Sequence, residues 1–555
     1  MSGPGRRPRR GRVRVPKVIG SDVELGNLIL GREAGRDGTC REASAALLAE
    51  IDGISARPAV STHAYGGADD SGRTRAAADA TDLPAWGTGM AAGLPLPPAS
   101  LDRGRVFLPC NASSCYVDLY HFEAASPEVR SASDYVAVFH AMLRIARDAM
   151  HAANRRLPAG QRLVALVNNS DGLGHSYGSH ISICMTRRSW EDMFERRIHP
   201  SLFFLMAFQA SSILLTGQGK VGSENGRRPV RFQISQRADF FETLVGLQTS
   251  YRRPLVNSRD ESHCTPTSSD ESAASPGLAR LHCIFHDQTL CHTGTFLKAG
   301  TMQLIVAMIE AGWMDRRLLL RSPLMAVGRW SHDPDLRAAA RLHGGRRVTA
   351  AEHQRLFLES ARRFVESGAC GDHVPGAAGI LDVWQEILDL LEARDFTALA
   401  SRLDWVCKKT LLERAIDANP GLDWDSPVLK HLDHVYGSLD EEEGLYWACE
   451  RDGLVDRVAT SAAIERFVHE PPEDTRAWMR AMLLRSIPPG QIEEIDWGFI
   501  SVRTRATRER RSESRTIWLG SPFGFTKKDC AHLFQDGAGA VVTNPTANGG
   551  QHAGA

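Results

Sequence analysis

The chain has no surplus charge. Its 66 lysines and arginines balance 66 aspartates and glutamates, so no global field draws it to nucleic acid or to an anionic membrane. It also lacks an apolar run long enough to span a bilayer. The most hydrophobic stretch, SLFFLMAFQASSILLTG from Ser201, is interrupted by Gln209 and Ser211, falls short of the roughly 20 residues a span needs, and reads as a buried helix. The 11 cysteines include no CxxC pair and are odd in number, which argues against a disulfide framework and for reduced thiols in a cytoplasm. The opening MSGPGRRPRRGRVRVP carries six arginines with no apolar segment behind them, which argues against a secretory signal; a disordered basic tail over residues 1–16 is expected, with an anion-docking arm as the alternative. There is no internal repeat.

What is present is an ordinary globular composition, 43% hydrophobic and 24% charged over 555 residues, enough for one large domain and a smaller one. Between residues 56 and 105 the chain turns to Gly, Ala, Pro, Ser and Asp, and a flexible insertion is expected there, between a first helix (41–52) and a second strand. A second polar interruption starts at Ser258, and residues 535–555 read as a disordered tail. The middle alternates strand-like pieces (RLVALVNNS, RFQISQ, ARLHCIFH) with helix-like ones (ASDYVAVFHAMLRIARDAMHAA, GTFLKAGTMQLIVAMIEAG), without regular crossovers. That predicts an α+β fold with a mostly antiparallel sheet, becoming helical from about residue 350.

Three segments carry chemistry. In VIGSDVELG, a strand would place Asp22 and Glu24 on one face. Neighbouring like charges repel unless a cation lies between them, so a divalent metal fits, as does a strand face in water. In CYVDLYHFEAASPE, Tyr116 and Asp118 share a strand face, with His121, Glu123 and Glu128 at its end, a set too polar for a core without metal or hydrogen bonds. In LVNNSDGLGHSYGSHISICM, a strand turns through Asn and Gly and returns with His180 on its small, polar face, either as a structural histidine or as part of a site. Two tempting patterns are set aside. GQGKVG follows an apolar helix instead of a strand, unlike a dinucleotide fingerprint. LHCIFHDQTLCH groups His282, Cys283, His286, Cys291 and His292 at spacings that match no standard zinc site. Arg237 and Arg259 follow strand-like runs, and such arginines pair with acids or grip phosphate.

Six blocks in order, GSDVELG, CYVDLYHFEAASPE, VNNSDGLGHSYGSH, SQRADFFETLVGLQTSYRRPLVNSRDESH, LHCIFHDQTL with GTFLKAGT, and PPEDTRA, make the chain resemble the family of Pup ligase and depupylase from about Lys17 to Phe534. Pup is the prokaryotic ubiquitin-like protein that these enzymes attach to lysines or remove. The resemblance implies a glutamine synthetase-like fold: a concave antiparallel sheet backed by helices over residues 17–415, and a small C-terminal domain over 416–534. It implies ATP, or ADP with phosphate, and magnesium as cofactors. Asp118 would be the catalytic aspartate, with Asp22, Glu24, Tyr116, Glu123 and His180 around the metal. Ser126, Trp405, Arg237, Arg259 and Arg476 would contact nucleotide.

The branch is read from spacing. Asp118 lies 94 positions beyond Glu24 (118 − 24), with the Gly/Pro/Ala segment between them, and this is similar to the depupylase, which carries a loop there. The resemblance thus implies a cytoplasmic, monomeric hydrolase of the side-chain amide or isopeptide bond at the C-terminal Gln or Glu of Pup or a Pup-like protein. The alternatives are an ATP-dependent Pup ligase, or a divergent, weakly active paralogue that binds a Pup-like partner. Departures from the family pattern stand at Ser114, where an arginine is usual, at Ile181 and Ser182, and at His286 and His292.

Overall fold

In a computed structural model, the protein is described over residues 14–32, 36–55, 102–195, 200–264, 277–503 and 513–534. Most of the expected basic tail and of the 56–105 insertion, part of the interruption after Ser258, and the C-terminal tail lie outside these residues.

The framework is a seven-stranded sheet. Its strands in chain order are β1 (Ile19–Glu24), β2 (Ile54–Ser55), β3 (Asp102–Phe107), β4 (Ser114–Asp118), β5 (His121–Ala125), β6 (Ser179–Thr186) and β7 (Leu278–Cys283). In space they run β7-β6-β1-β5-β4-β3-β2, every pair antiparallel. Alternation along each strand gives the sheet two unlike faces. Ile19, Val23, Phe122, Ala124, Ile181, Ile183, Leu281 and Cys283 fill one face and are buried in the main core. Helices α1 (Ala132–Asn154) and α2 (His292–Ala311) supply the same core. Asp22, Glu24, Tyr116, Asp118, Glu123, His180, Ser182, His282 and Arg280 occupy the other face, as the register requires.

The apolar face is worth roughly 1.5–3 kcal/mol per fully buried large side chain, and it fixes the register: a one-residue slip of β1 or β5 would turn its acids into the core. A buried ion pair at 2.5 Å, Lys17 to Glu310, secures the start of β1 to α2, and Glu310 also accepts the Thr186 amide at 2.6 Å. The apolar run from Ser201 forms a buried helix, Pro200–Thr216. No helix among the described residues is long and apolar enough to cross a membrane.

The main core reaches Phe467, and a second one begins at Trp478, around a three-stranded sheet (Ile492–Asp496, Phe499–Arg503, Ser514–Trp518). The cores therefore divide well beyond residue 416, because the helix Pro427–Val435, placed in the small domain by the sequence reading, packs Leu429 into the main core. Ile54 and Phe107 of the large sheet join the second core. Glu128 locks the two together: it accepts Arg476 Nε at 2.7 Å and Arg480 Nη2 at 2.5 Å. Burial alone would raise this carboxyl, but Arg480 and Arg476 hold it down at about 2.

His353 illustrates how the interior treats protons. Fully buried, it donates from Nε2 to the Leu318 carbonyl at 2.8 Å and accepts the Ser211 hydroxyl at Nδ1. Burial pushes its pKa down to about 4 against the Leu318 bond. Between pH 6.5 and 4 the unfolded chain therefore binds a proton that the folded one does not, and stability falls as pH is lowered through that window. His353→Gln should be less stable than wild type at pH 7.5, with the gap narrowing by about 2 kcal/mol at pH 5, read from denaturant midpoints.

Candidate active site

Pairing across the polar face brings the acids together. Asp22 stands opposite Ala125 and His180, and Glu24 opposite Glu123. Glu123 in turn faces Tyr116, and Asp118 faces His121. What the sequence reading took as one strand with acids at its end is a hairpin, turned at Leu119 with φ of 51°. Two groups result. Ligand atoms of Asp22, Glu123 and His180 lie within 4.8 Å of one another, as do those of Glu24, Asp118 and Glu123. Glu123 is common to both.

The electrostatics favour a cation here. Burial, with Asp22, Glu24 and Asp118, pushes the Glu123 carboxyl well above the usual range, although Tyr116 donates to it at 2.5 Å. Burial raises Glu24 as well, but the group lies below the ordinary range, with the Gly178 amide at 2.7 Å and Arg237 among those that hold it down. Burial also drives His180 down to about 3, so its imidazole is neutral at pH 7 and keeps a lone pair. Carboxylates with one neutral imidazole are a donor set for a hard or borderline divalent ion. Gly178 keeps the space open, since a Cβ there would collide with the His180 ring and the Glu24 carboxylate.

Arginines form the adjoining wall. Arg237 is fully buried and donates to the Tyr177 carbonyl at 2.6 Å; burial lowers its pKa against the opposing pull of Glu24 and Asp287. Arg253 holds the Ser176 and Thr249 carbonyls at 2.8 and 2.7 Å, and burial with the neighbouring Arg237 pushes it down to about 9. Arg280 bridges to Glu261 at 3.0 Å, and Arg259 approaches the same residue at 3.8 Å. His282, edge-on to His180 at 4.9 Å, is kept neutral by burial and Arg280.

Of the residues expected at the site, Asp22, Glu24, Tyr116, Asp118, Glu123 and His180 converge, with Arg237 and Arg259 beside them. Three others are engaged elsewhere. The Ser126 hydroxyl accepts the Ser21 amide at 2.9 Å. Trp405 is fully buried, its indole donating to the Leu214 carbonyl at 2.9 Å, so neither ring face is open to a nucleotide. Arg476 grips Glu128 and the His263 carbonyl. Phe107 faces Ser114 on the polar side of the sheet, and the half-buried Trp497 stands edge-on to it at 5.6 Å. Its signal in the sequence was the short turn in IDWGF between two strands. Arg105, Arg253 and Arg280 were also missed, since single arginines on strands carry no motif. The zinc-like set does not converge: no such group exists among the described residues.

The family model described as Pup-ligase protein matches residues 17–501. The chain belongs to this family. A depupylase of Acidothermus cellulolyticus is 36% identical over 374 residues, 67% of this chain and 71% of that protein. A Pup deamidase/depupylase of Mycolicibacterium smegmatis is 36% identical over 70% of this chain and 74% of its own length. A Pup–protein ligase of an Arthrobacter species is 34% identical over 75% and 87%. Among solved structures, the Pup ligase PafA in complex with Pup superposes with a TM-score of 0.70 at 23% identity, covering 93% of this chain and 90% of that one. PafA in complex with ADP gives 0.64 at 26%, covering 77% and 89%. The antiparallel sheet backed by helices, with its small C-terminal unit, is thus the family's architecture.

Gly178→Ala should destabilise the protein by about 1–3 kcal/mol, because the added methyl must displace Glu24 and His180 from a packed interior; thermal denaturation against wild type would show it.

Proposed function

We propose that this Pup-ligase family member is a depupylase-type hydrolase that cleaves the side-chain amide or isopeptide bond at the C-terminal Gln or Glu of Pup or a Pup-like protein, with nucleotide and magnesium as cofactors. The observation that carries the reading is the pair of carboxylate groups sharing Glu123, with Asp118 in one of them and an arginine wall alongside. The 94-position separation of Glu24 and Asp118 favours the hydrolase over the ligase.

Asp22, Glu123 and His180 would hold one cation, and Glu24, Asp118 and Glu123 a second. Bound there, magnesium supplies positive charge that neutralises the acids and polarises a substrate carbonyl or phosphoryl oxygen. Asp118, at the end of β4, is the reacting carboxylate of the protein. Either it adds to the carbonyl carbon of the substrate, the amine leaves protonated as lysine or ammonia, and water then hydrolyses the Asp118 anhydride, or it takes a proton from the water that adds and passes it to the leaving amine. Arg237 and Arg259 steady the anionic end of the ligand. In the ligase alternative the same Asp118 accepts a proton from an incoming lysine while ATP is consumed. Relatives of both activities match at similar identity, and this keeps the ligase as the second reading.

The test incubates the full-length protein with magnesium and ATP or ADP, offering Gln-ended Pup and a Pup–lysine conjugate. Mass spectrometry should reveal nucleotide-dependent deamidation and cleavage, both lost in Asp118→Asn. Stoichiometric ADP formation with an amine acceptor, without hydrolysis, would select the ligase. No conversion by wild type, with retained binding of Pup, would select the weakly active paralogue.

Glu123→Gln should raise the melting temperature of the metal-free protein, by relieving repulsion among four acids, and abolish the further rise that magnesium gives wild type.

A further inference from the structure

β3 enters the sheet through a register shift between Arg103 and Val106, with Gly104 at φ of 66°. Beyond the shift Phe107 faces Ser114, and Arg105, inside the shift, reaches the polar face through its contacts with Ser114 and Tyr116. Its guanidinium lies 3.6 Å over the Tyr116 ring and donates to the Ser114 hydroxyl at 3.3 Å. A guanidinium stacked that closely on a phenol is fixed in orientation. Tyr116 gives its own hydroxyl to Glu123, so this cation stands one side chain from the carboxylate shared by both acid groups.

The surroundings fit an elongated anion. A row of facing residues, Phe107, Ser114, Ala125 and Asp22, crosses the sheet from the strand next to its edge to the acids. Its middle members, Ser114 and Ala125, are small and buried, and two residues from Asp22 a Cβ on Gly20 would meet nothing within 4 Å. At the Phe107 end Trp497 stands edge-on, with Arg480 over its ring at 4.8 Å. The row thus aligns an aromatic end, a guanidinium and a carboxylate end. A nucleoside diphosphate presents its base, its phosphates and their cation in that order.

We propose that Arg105 is a phosphate-contacting residue of this site, gripping a phosphoryl oxygen of the nucleotide from the strand beside Tyr116. The inference rests on the nucleotide-dependent reading above. Ser114 is short, uncharged and fully buried, and the partly exposed Arg105 carries the charge beside it. Asp496 is a competing structural partner: against the effect of burial, His263, the Trp497 amide, Arg105 and Arg476 hold its carboxyl below the usual range.

The experiment measures binding of ADP and of adenosine, at fixed magnesium, to full-length wild type, Arg105→Ala, Arg105→Lys and the double variant Arg105→Asn/Ser114→Arg. Arg105→Ala should weaken ADP about 10- to 100-fold and change adenosine by less than about twofold. Lysine should recover part of the loss, and a guanidinium returned from position 114 most of it. Should Arg105→Ala fail to fold, the lysine and double variants carry the comparison. Equal losses for ADP and adenosine, or no loss for either, overturn the assignment in favour of a structural pairing with Asp496. If wild type binds neither compound, the nucleotide-dependent reading itself falls, and Arg105's role with it.

Discussion

Four carboxylates, Asp22, Glu24, Asp118 and Glu123, occupy one patch of one sheet face, and their mutual repulsion is the constraint around which the structure is organised. Left to themselves, such groups would drive the strands apart or take up protons. The register prevents the first, because the opposite face of β1, β4 and β5, the strands that carry the acids, is committed to the main core that helices α1 and α2 share. A divalent cation would prevent the second. The rigid apolar layer and the charged layer are therefore two sides of one arrangement, and the strands joining them have little freedom in either sequence or position.

The groups around the acids follow from the same constraint. His180 and His282 stay neutral through burial, so they add donors and lone pairs to the patch without adding charge. Arg237 and Arg253 remain beside the acids but are tied to the backbone carbonyls of Ser176, Tyr177 and Thr249, which orients them without cancelling Glu24. Positive and negative charge are thus kept separate within one site. That suits a ligand carrying both an anionic part and a cation.

Much of this was legible in the sequence where residues alternate on strands. The two-residue spacing of Asp22 and Glu24, and of Tyr116 and Asp118, gave the shared face directly, and His180 fell on its small, polar side as periodicity required. The turn between β4 and β5 was not legible, because Leu119 carries a positive φ without Gly, Asn or Asp to announce it. Trp405 and Arg476 looked like binding residues in their motifs, yet Trp405 is closed inside the core and Arg476 is held by Glu128. A tryptophan in an amphipathic helix is ordinarily core, and only the Glu128 pairing could show where Arg476 points. Arg105 depends on a register shift that local sequence does not encode.

The Glu128 clamp joins residues 348 and 352 positions apart. During synthesis, all seven strands of the large sheet leave the ribosome long before Arg476 and Arg480 exist. Until those arginines arrive, Glu128 has no counter-charge from this clamp, and Trp497 is not yet over Phe107. The polar face therefore reaches its finished form only at the end of translation, whatever the sheet has already achieved. A nascent or C-terminally clipped chain can carry every acid of the site and still lack its last wall.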